Sequence, residues 1–154
     1  MGTPVNAAAG ALAGYAASRT MDVATTWFYG RQSKESKVRE DELAPGGTLV
    51  QLGKQLGHVA GRDLDDDAAG RVGLAVHRTL GVAYGIGAAR LVGRGVPPMV
   101  AGLAVGAAAL VVVDEGTAIT SVFDYPAVSH MRGVVGHVTL GLSIGALLSL
   151  LARR

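Results

Sequence analysis

Of 154 residues, 49% are apolar and 23 are glycine, whereas 17% are charged and 5% aromatic. That composition excludes a disordered tail, and 14 Lys+Arg set against 12 Asp+Glu leave no basic patch, so no nucleic-acid partner is expected. With Cys 0, disulfide frameworks, thiolate metal sites and cysteine nucleophiles are also excluded.

A bilayer core about 30 Å thick needs roughly 20 mostly apolar residues of helix, and four stretches qualify. The first, residues 5–28, has no basic leader segment and carries Arg19 and Asp22 within its apolar run, so it reads as a retained span rather than a cleaved signal peptide. Residues 30–70 follow as an aqueous loop with a mixed charge run, Arg31 to Glu42, and an acidic cluster of Asp63, Asp65, Asp66 and Asp67. Within this loop Leu49, Leu52, Leu56 and Val59 recur at three and four residues. They predict an amphipathic helix over about 48–60, after the Pro45-Gly46-Gly47 turn, lying on the membrane surface or packed on its own protein. The acids before Ala68 read as an N-cap and first turn for the second span, residues 72–92. The third span, 99–122, starts after Pro97 and Pro98 and has no polar side chain from Met99 to Val113; the fourth is 133–152. The fold class expected is an all-α, integral membrane four-helix bundle in a single domain.

The spans resemble one another. His77, Thr79, Leu80, Gly81 and Gly85 recur as His137, Thr139, Leu140, Gly141 and Gly145, five identities in nine positions. Gly10, Gly14, Asp22 and Thr25 fall on Gly102, Gly106, Asp114 and Thr117. These offsets suggest a duplicated two-helix hairpin, the first copy enlarged by the loop. Each span then carries one Gly-x-x-x-Gly: Gly10/Gly14, Gly81/Gly85, Gly102/Gly106 and Gly141/Gly145. Small residues one turn apart let helix backbones approach closely in lipid, either within the chain or in a homo-oligomer.

Charged groups within a span are costly, so Arg19, Asp22, His77, Arg78, Asp114, Glu115 and His137 require an account. Helix rise puts Asp22, His77, Asp114 and His137 in one layer, as an Asp/His pair in each copy, with Arg19 three residues from Asp22 and His130 two turns from His137. Three readings compete. The first is a hydrogen-bonded clamp between helices. The second is a proton or small-cation path through the Asp/His cluster. The third is ligation of haem iron, or of a divalent metal with the carboxylates, by His77 and His137, although no haem-attachment motif is present. Trp27, Phe28 and Tyr29 end the first span and Phe123 and Tyr125 follow the third, as an interfacial aromatic belt would. Lys/Arg counting favours a cytoplasmic 30–70 loop.

The Gly-rich first span ending near Asp22, Gly61-Arg62-Asp63, His77-x-x-x-Gly81-x-x-x-Gly85 and His130-x-Arg132-Gly133-x-x-x-His137 together resemble the small four-span bacterial inner-membrane proteins of unknown function typified by YagU. The resemblance spans nearly the whole chain and implies location and architecture, with no settled chemistry. The function expected is a non-enzymatic, multi-pass protein of the bacterial cytoplasmic membrane, self-associating or serving as an accessory subunit in a larger membrane complex. The runner-up is permeation through the Asp/His cluster.

Overall fold

A computed structural model describes residues 7–114 and 125–152, except the side chain of Asp114. The described chain is helical: α1 (Ala7–Gly30), α2 (Lys34–Leu43), α3 (Thr48–Val59), α4 (Asp66–Gly93), α5 (Pro98–Ala109) continued by a π-helical turn (Leu110–Asp114), and α6 (Ala127–Ala152). Local chemistry sets the boundaries. Ser33 Oγ accepts the Ser36 N–H at 3.2 Å to start α2, and Asp65 Oδ1 accepts the Ala68 N–H at 2.7 Å to start α4. Pro98 occupies the first turn of α5, where its missing N–H costs nothing. Gly46 and Gly47 turn the chain between α2 and α3 with φ of 77° and 94°, a region that side chains disfavour.

The long helices lie side by side in a ring, α1 against α4 and α6, α5 against α6 and α4. Their contact surfaces are glycine faces. A Cβ added at Gly10 would stand 2.6 Å from the Gly85 carbonyl oxygen, and Gly14 abuts Gly81 as closely. Across α5 and α6, a Cβ on Gly106 would stand 2.5 Å from the His137 carbonyl oxygen, and one on Gly141 would stand 2.7 Å from that of Gly102. The core they enclose is built largely of Ala13, Ala17, Ala88, Ala101 and Ala109, with Leu140, Ile144 and Leu148 from α6. Large apolar side chains point the other way: Leu12 and Val23 are about 70% exposed, Trp27 57%, and Val111, Val112 and Leu150 lie equally far out.

The structure differs from the sequence expectations in four places. First, α6 begins at Ala127, six residues before the expected span start, because the turn after Pro126 extends it beyond its apolar run, whereas α4 begins at Asp66 behind the Asp65 cap, as the acids before Ala68 predict. Second, most of the run Arg31 to Glu42, read as solvated loop, belongs to α2, which continues to Leu43. Third, α3 meets α4 backbone to backbone, at Gly53, where a Cβ would overlap Ala69, and at Leu49, whose backbone a Cβ on Gly73 would overlap, while Leu56 and Val59 of the leucine stripe are exposed. Close backbone approach selects the glycine face, which lies beside the leucines on the helix surface. Fourth, among the described residues Ala127–Ala152 is the one helix both long and apolar enough to cross a membrane, while Pro98–Val113 is apolar but shorter. Glycine, hydroxyl and charged side chains dilute α1 and α4, and residues 115–122 of the expected third span lie outside the described residues.

Candidate functional site

Extending the Gly10/Gly14 face of α1 by successive turns of four reaches Ser18 and then Asp22; extending Gly85/Gly81 back along α4 reaches His77. The polar residues therefore continue the same contact seam where the glycines stop. Asp22 Oδ1 lies 3.0 Å from His77 Nε2, and Asp22 Oδ2 forms a salt bridge with Arg78 Nη2. Arg78 also donates through Nη1 to Ser18 Oγ at 2.9 Å, and Ser18 donates onward to the Tyr15 carbonyl at 2.8 Å. One carboxylate on α1 thus engages two neighbouring side chains of α4. Arg78 and His77 are mostly covered, at 18% and 22% side-chain exposure, and Asp22 is at 37%.

The structure brings Asp22 and His77 together and supplies Arg78 as their charge partner. Arg19 is not part of this group: it is exposed, one helical step away from the seam, and makes no ion pair with Asp22. In the second hairpin His137 is buried, at 5% exposure, where α6 runs beneath Gly106. The side chain of Asp114, and Glu115 entirely, lie outside the described residues. Among the described residues no three His, Asp or Glu side chains meet in a way that could hold a metal ion, and the Asp22 oxygens are already engaged by α4. Thr20 Oγ1 and Ser143 Oγ, 2.8 Å apart, tie α1 to α6 at about the same depth.

A second polar cluster escaped the sequence reading. Glu40 belongs to the most charged helix of the chain yet is only 8% exposed. Its Oε1 accepts from Gln32 Nε2 at 2.8 Å and from Ser129 Oγ at 2.6 Å, and its Oε2 pairs with Arg132 Nη1 at 2.7 Å. Arg132 also donates to Gln32 Oε1 at 2.8 Å and sits 5.1 Å from the centre of the Tyr29 ring. This closed network docks α2 onto the start of α6, as Gly53 and Gly73 dock α3 onto α4. Beside it is a cavity of about 250 Å³, lined by Tyr29, Glu40, Asp41, Thr48, Tyr125 and Arg132 among others. The Tyr125 hydroxyl is buried without a hydrogen-bond partner among the described residues, and burial, reinforced by the Glu40 carboxylate, raises its pKa above the ordinary 10.0. The only hint of this cluster in the sequence is a lone Arg132 at the mouth of an apolar stretch, which names no partner.

No family model, curated protein or solved structure matches this chain.

Proposed function

We propose that this chain is a multi-pass protein of a bacterial cytoplasmic membrane, of the kind typified by YagU, in which α1, α4, α5 with its π-helical turn, and α6 cross the bilayer as a four-helix bundle and serve as an accessory subunit. The observation that carries this reading is the inverted distribution of side-chain size. Glycine and alanine fill the helix contacts, while Leu12, Val23, Val111, Val112 and Leu150 face outward. Water would favour burial of the larger apolar groups, whereas hydrocarbon is indifferent to them and rewards close backbone packing. Of the charges that lower the hydropathy of α1 and α4, Asp22 and Arg78 fit the same reading, since with His77 they satisfy one another across the seam. Two related hairpins are part of the proposal: Gly10/Gly14 face Gly85/Gly81 and Gly102/Gly106 face the Gly141 end of α6, the second contact being offset by one turn, so that Gly102 meets the Gly141 carbonyl as Gly14 meets that of Gly81.

The absence of cysteine makes the topology directly testable, because each introduced thiol reports alone. Membranes containing the chain are washed in alkaline carbonate, and single variants Gln55→Cys, Arg94→Cys and Val138→Cys are treated with an impermeant maleimide. Retention in the membrane, labelling of positions 55 and 94 from opposite sides, and protection of position 138 until detergent is added are expected. Release by carbonate, or labelling of 55 and 94 from one side, refutes the bundle.

For the Asp/His layer, the engagement of both Asp22 oxygens by α4 supports a clamp over a path for protons or cations. Proteoliposomes should therefore show the same proton and potassium flux with the wild-type chain, with a His77→Ala/His137→Ala variant and with no protein; flux that depends on either histidine overturns the clamp.

A further inference from the structure

The outward face of α1 carries Leu12, Tyr15, Ala16, Val23 and Trp27, all exposed, and in its middle stands Arg19. At 1.5 Å per residue Arg19 is about 17 Å from either end of α1. Its neighbour Thr20 is bonded to Ser143, near the centre of the apolar stretch of α6, which sets Arg19 at mid-depth by a second measure. Arg19 has no hydrogen bond, ion pair or aromatic ring contact among the described residues: Asp22 is held by α4, and the guanidinium that stacks on Trp27 belongs to Arg31, at 3.6 Å. An arginine near a helix end can reach the headgroups with its stem, but from mid-depth the head must cross about 15 Å of hydrocarbon, more than the side chain spans. A lipid-facing cation at that depth is therefore incomplete as it stands.

We propose that this face of α1 is the docking surface for a transmembrane helix of another protein that carries a carboxylate at mid-depth, and that Arg19 is its ion-pair partner. The proposal rests on the membrane reading above and specifies the subunit contact. Charge complementarity selects the occupant. A second copy meeting this stripe symmetrically would oppose Arg19 to Arg19, whereas a carboxylate satisfies the guanidinium in a bidentate pair. Ala16, one turn before Arg19 on the same stripe, leaves room for the incoming backbone.

The test uses the full chain in phosphatidylcholine vesicles, labelled through Gln55→Cys, and a polyleucine guest helix with one central Asp or, as control, a central Leu. Energy transfer should show the Asp guest binding at least tenfold tighter than the Leu guest. Arg19→Leu should abolish that preference, Arg19→Lys should retain part of it, and Arg19→Glu should transfer it to a guest with a central Lys. Arg19 makes no hydrogen bond or ion pair among the described residues, so circular dichroism and the detergent melting point of Arg19→Leu should match the wild type. Equal binding of the two guests, or an Asp preference that survives Arg19→Leu, overturns the proposal. So does energy transfer between two labelled copies that is lost with Arg19→Leu, which would make the occupant a second copy. A dependence of Arg19 variants on phosphatidylglycerol content alone overturns it in favour of lipid. Failure of the membrane reading is separately visible, as release of wild type and variants alike by carbonate.

Discussion

Gly85 and Gly87 stand two residues apart on α4 and should respond oppositely to alanine. A Cβ on Gly85 would come within 2.6 Å of the Gly14 nitrogen and 2.7 Å of its Cα, with the Gly10 carbonyl closer still. All three are backbone atoms, so no rotamer change relieves the overlap. Restoring 3.4 Å at the nitrogen alone requires the helices to part by about 0.8 Å, and the closer Gly10 oxygen requires more. Overpacking of a tight contact costs about 1–3 kcal/mol, and rigid backbone on the receiving side puts this case near about 3 kcal/mol. Alanine returns about 1 kcal/mol in helix propensity, leaving a net loss of about 2 kcal/mol, or roughly 30-fold in the folding equilibrium. At Gly87 nothing lies within 4 Å of the added Cβ, so Gly87→Ala keeps the propensity gain of about 1 kcal/mol without the clash. The two variants should therefore differ by about 3 kcal/mol in sodium dodecyl sulfate titrations from mixed micelles, followed by the emission of Trp27, the single tryptophan. Coincident midpoints would refute the claim that α1 and α4 meet backbone to backbone.

Asp22→Asn leaves Arg78 mostly covered and without its counter-charge; because the pair is partly open to its surroundings, the expected loss is about 2 kcal/mol rather than the 3–5 of a fully buried pair. Adding Arg78→Gln should recover at least half of that loss, and a strictly additive double variant would contradict the coupling. Glu40→Ala strands Arg132 and unties α2 from α6, so limited proteolysis should cut near Pro45-Gly46-Gly47 while the α1/α4 seam keeps its hydrogen-exchange protection; an unchanged cleavage pattern would count against the Glu40 network. Tyr125 should titrate above pH 10 in ultraviolet difference spectra, and Glu40→Gln should lower its midpoint. The sign follows from the raised folded value: the fold holds the phenolic proton more tightly than the unfolded chain, so this stabilisation is complete below about pH 10 and is lost as pH rises through the folded midpoint. A midpoint at or below that of free tyrosine would contradict the burial.

The glycine spacing made the α1/α4 and α5/α6 contacts legible in the sequence, because a four-residue step on a helix identifies a face whatever the neighbour is. The same arithmetic extends to Ser18, Asp22 and His77, although the Asp22–His77 pair is read in the sequence from helix rise, which sets both at one depth, and from the matched hairpins. It also places Arg19 off that face, a consequence that proximity in sequence to Asp22 concealed; the partner of Asp22 is Arg78, whose neighbour His77 marked the place. Helix α2 and the burial of Glu40 were not legible, since a run such as Lys37-Val38-Arg39-Glu40 has no apolar periodicity, and a carboxylate is buried here only because Gln32, Ser129 and Arg132 converge on it from 8, 89 and 92 residues away. The face by which α3 meets α4 was not legible for a related reason: periodic leucines identify the apolar side of a helix, but a surface selected by backbone approach is identified by its glycines.

These outcomes share one physical cause. Where large apolar side chains make the core, hydropathy patterning identifies the contact; where backbone proximity makes it, the informative residues are those with the least side chain. On α1, Gly10, Gly14, Ser18 and Asp22 form the seam, while Leu12, Val23 and Trp27 stand outside it. A hydropathy scale ranks those two faces in the wrong order for the interior. On α1 and α4 an averaged hydropathy counts Asp22 and Arg78 as two costs, whereas the pair occupies one seam and presents little net charge to the surroundings; Arg19 adds a cost that this pair does not offset. Arg19 is the cation of α1 to which, among the described residues, this compensation does not extend, and that difference, rather than its presence in the helix, is what the proposed partner answers.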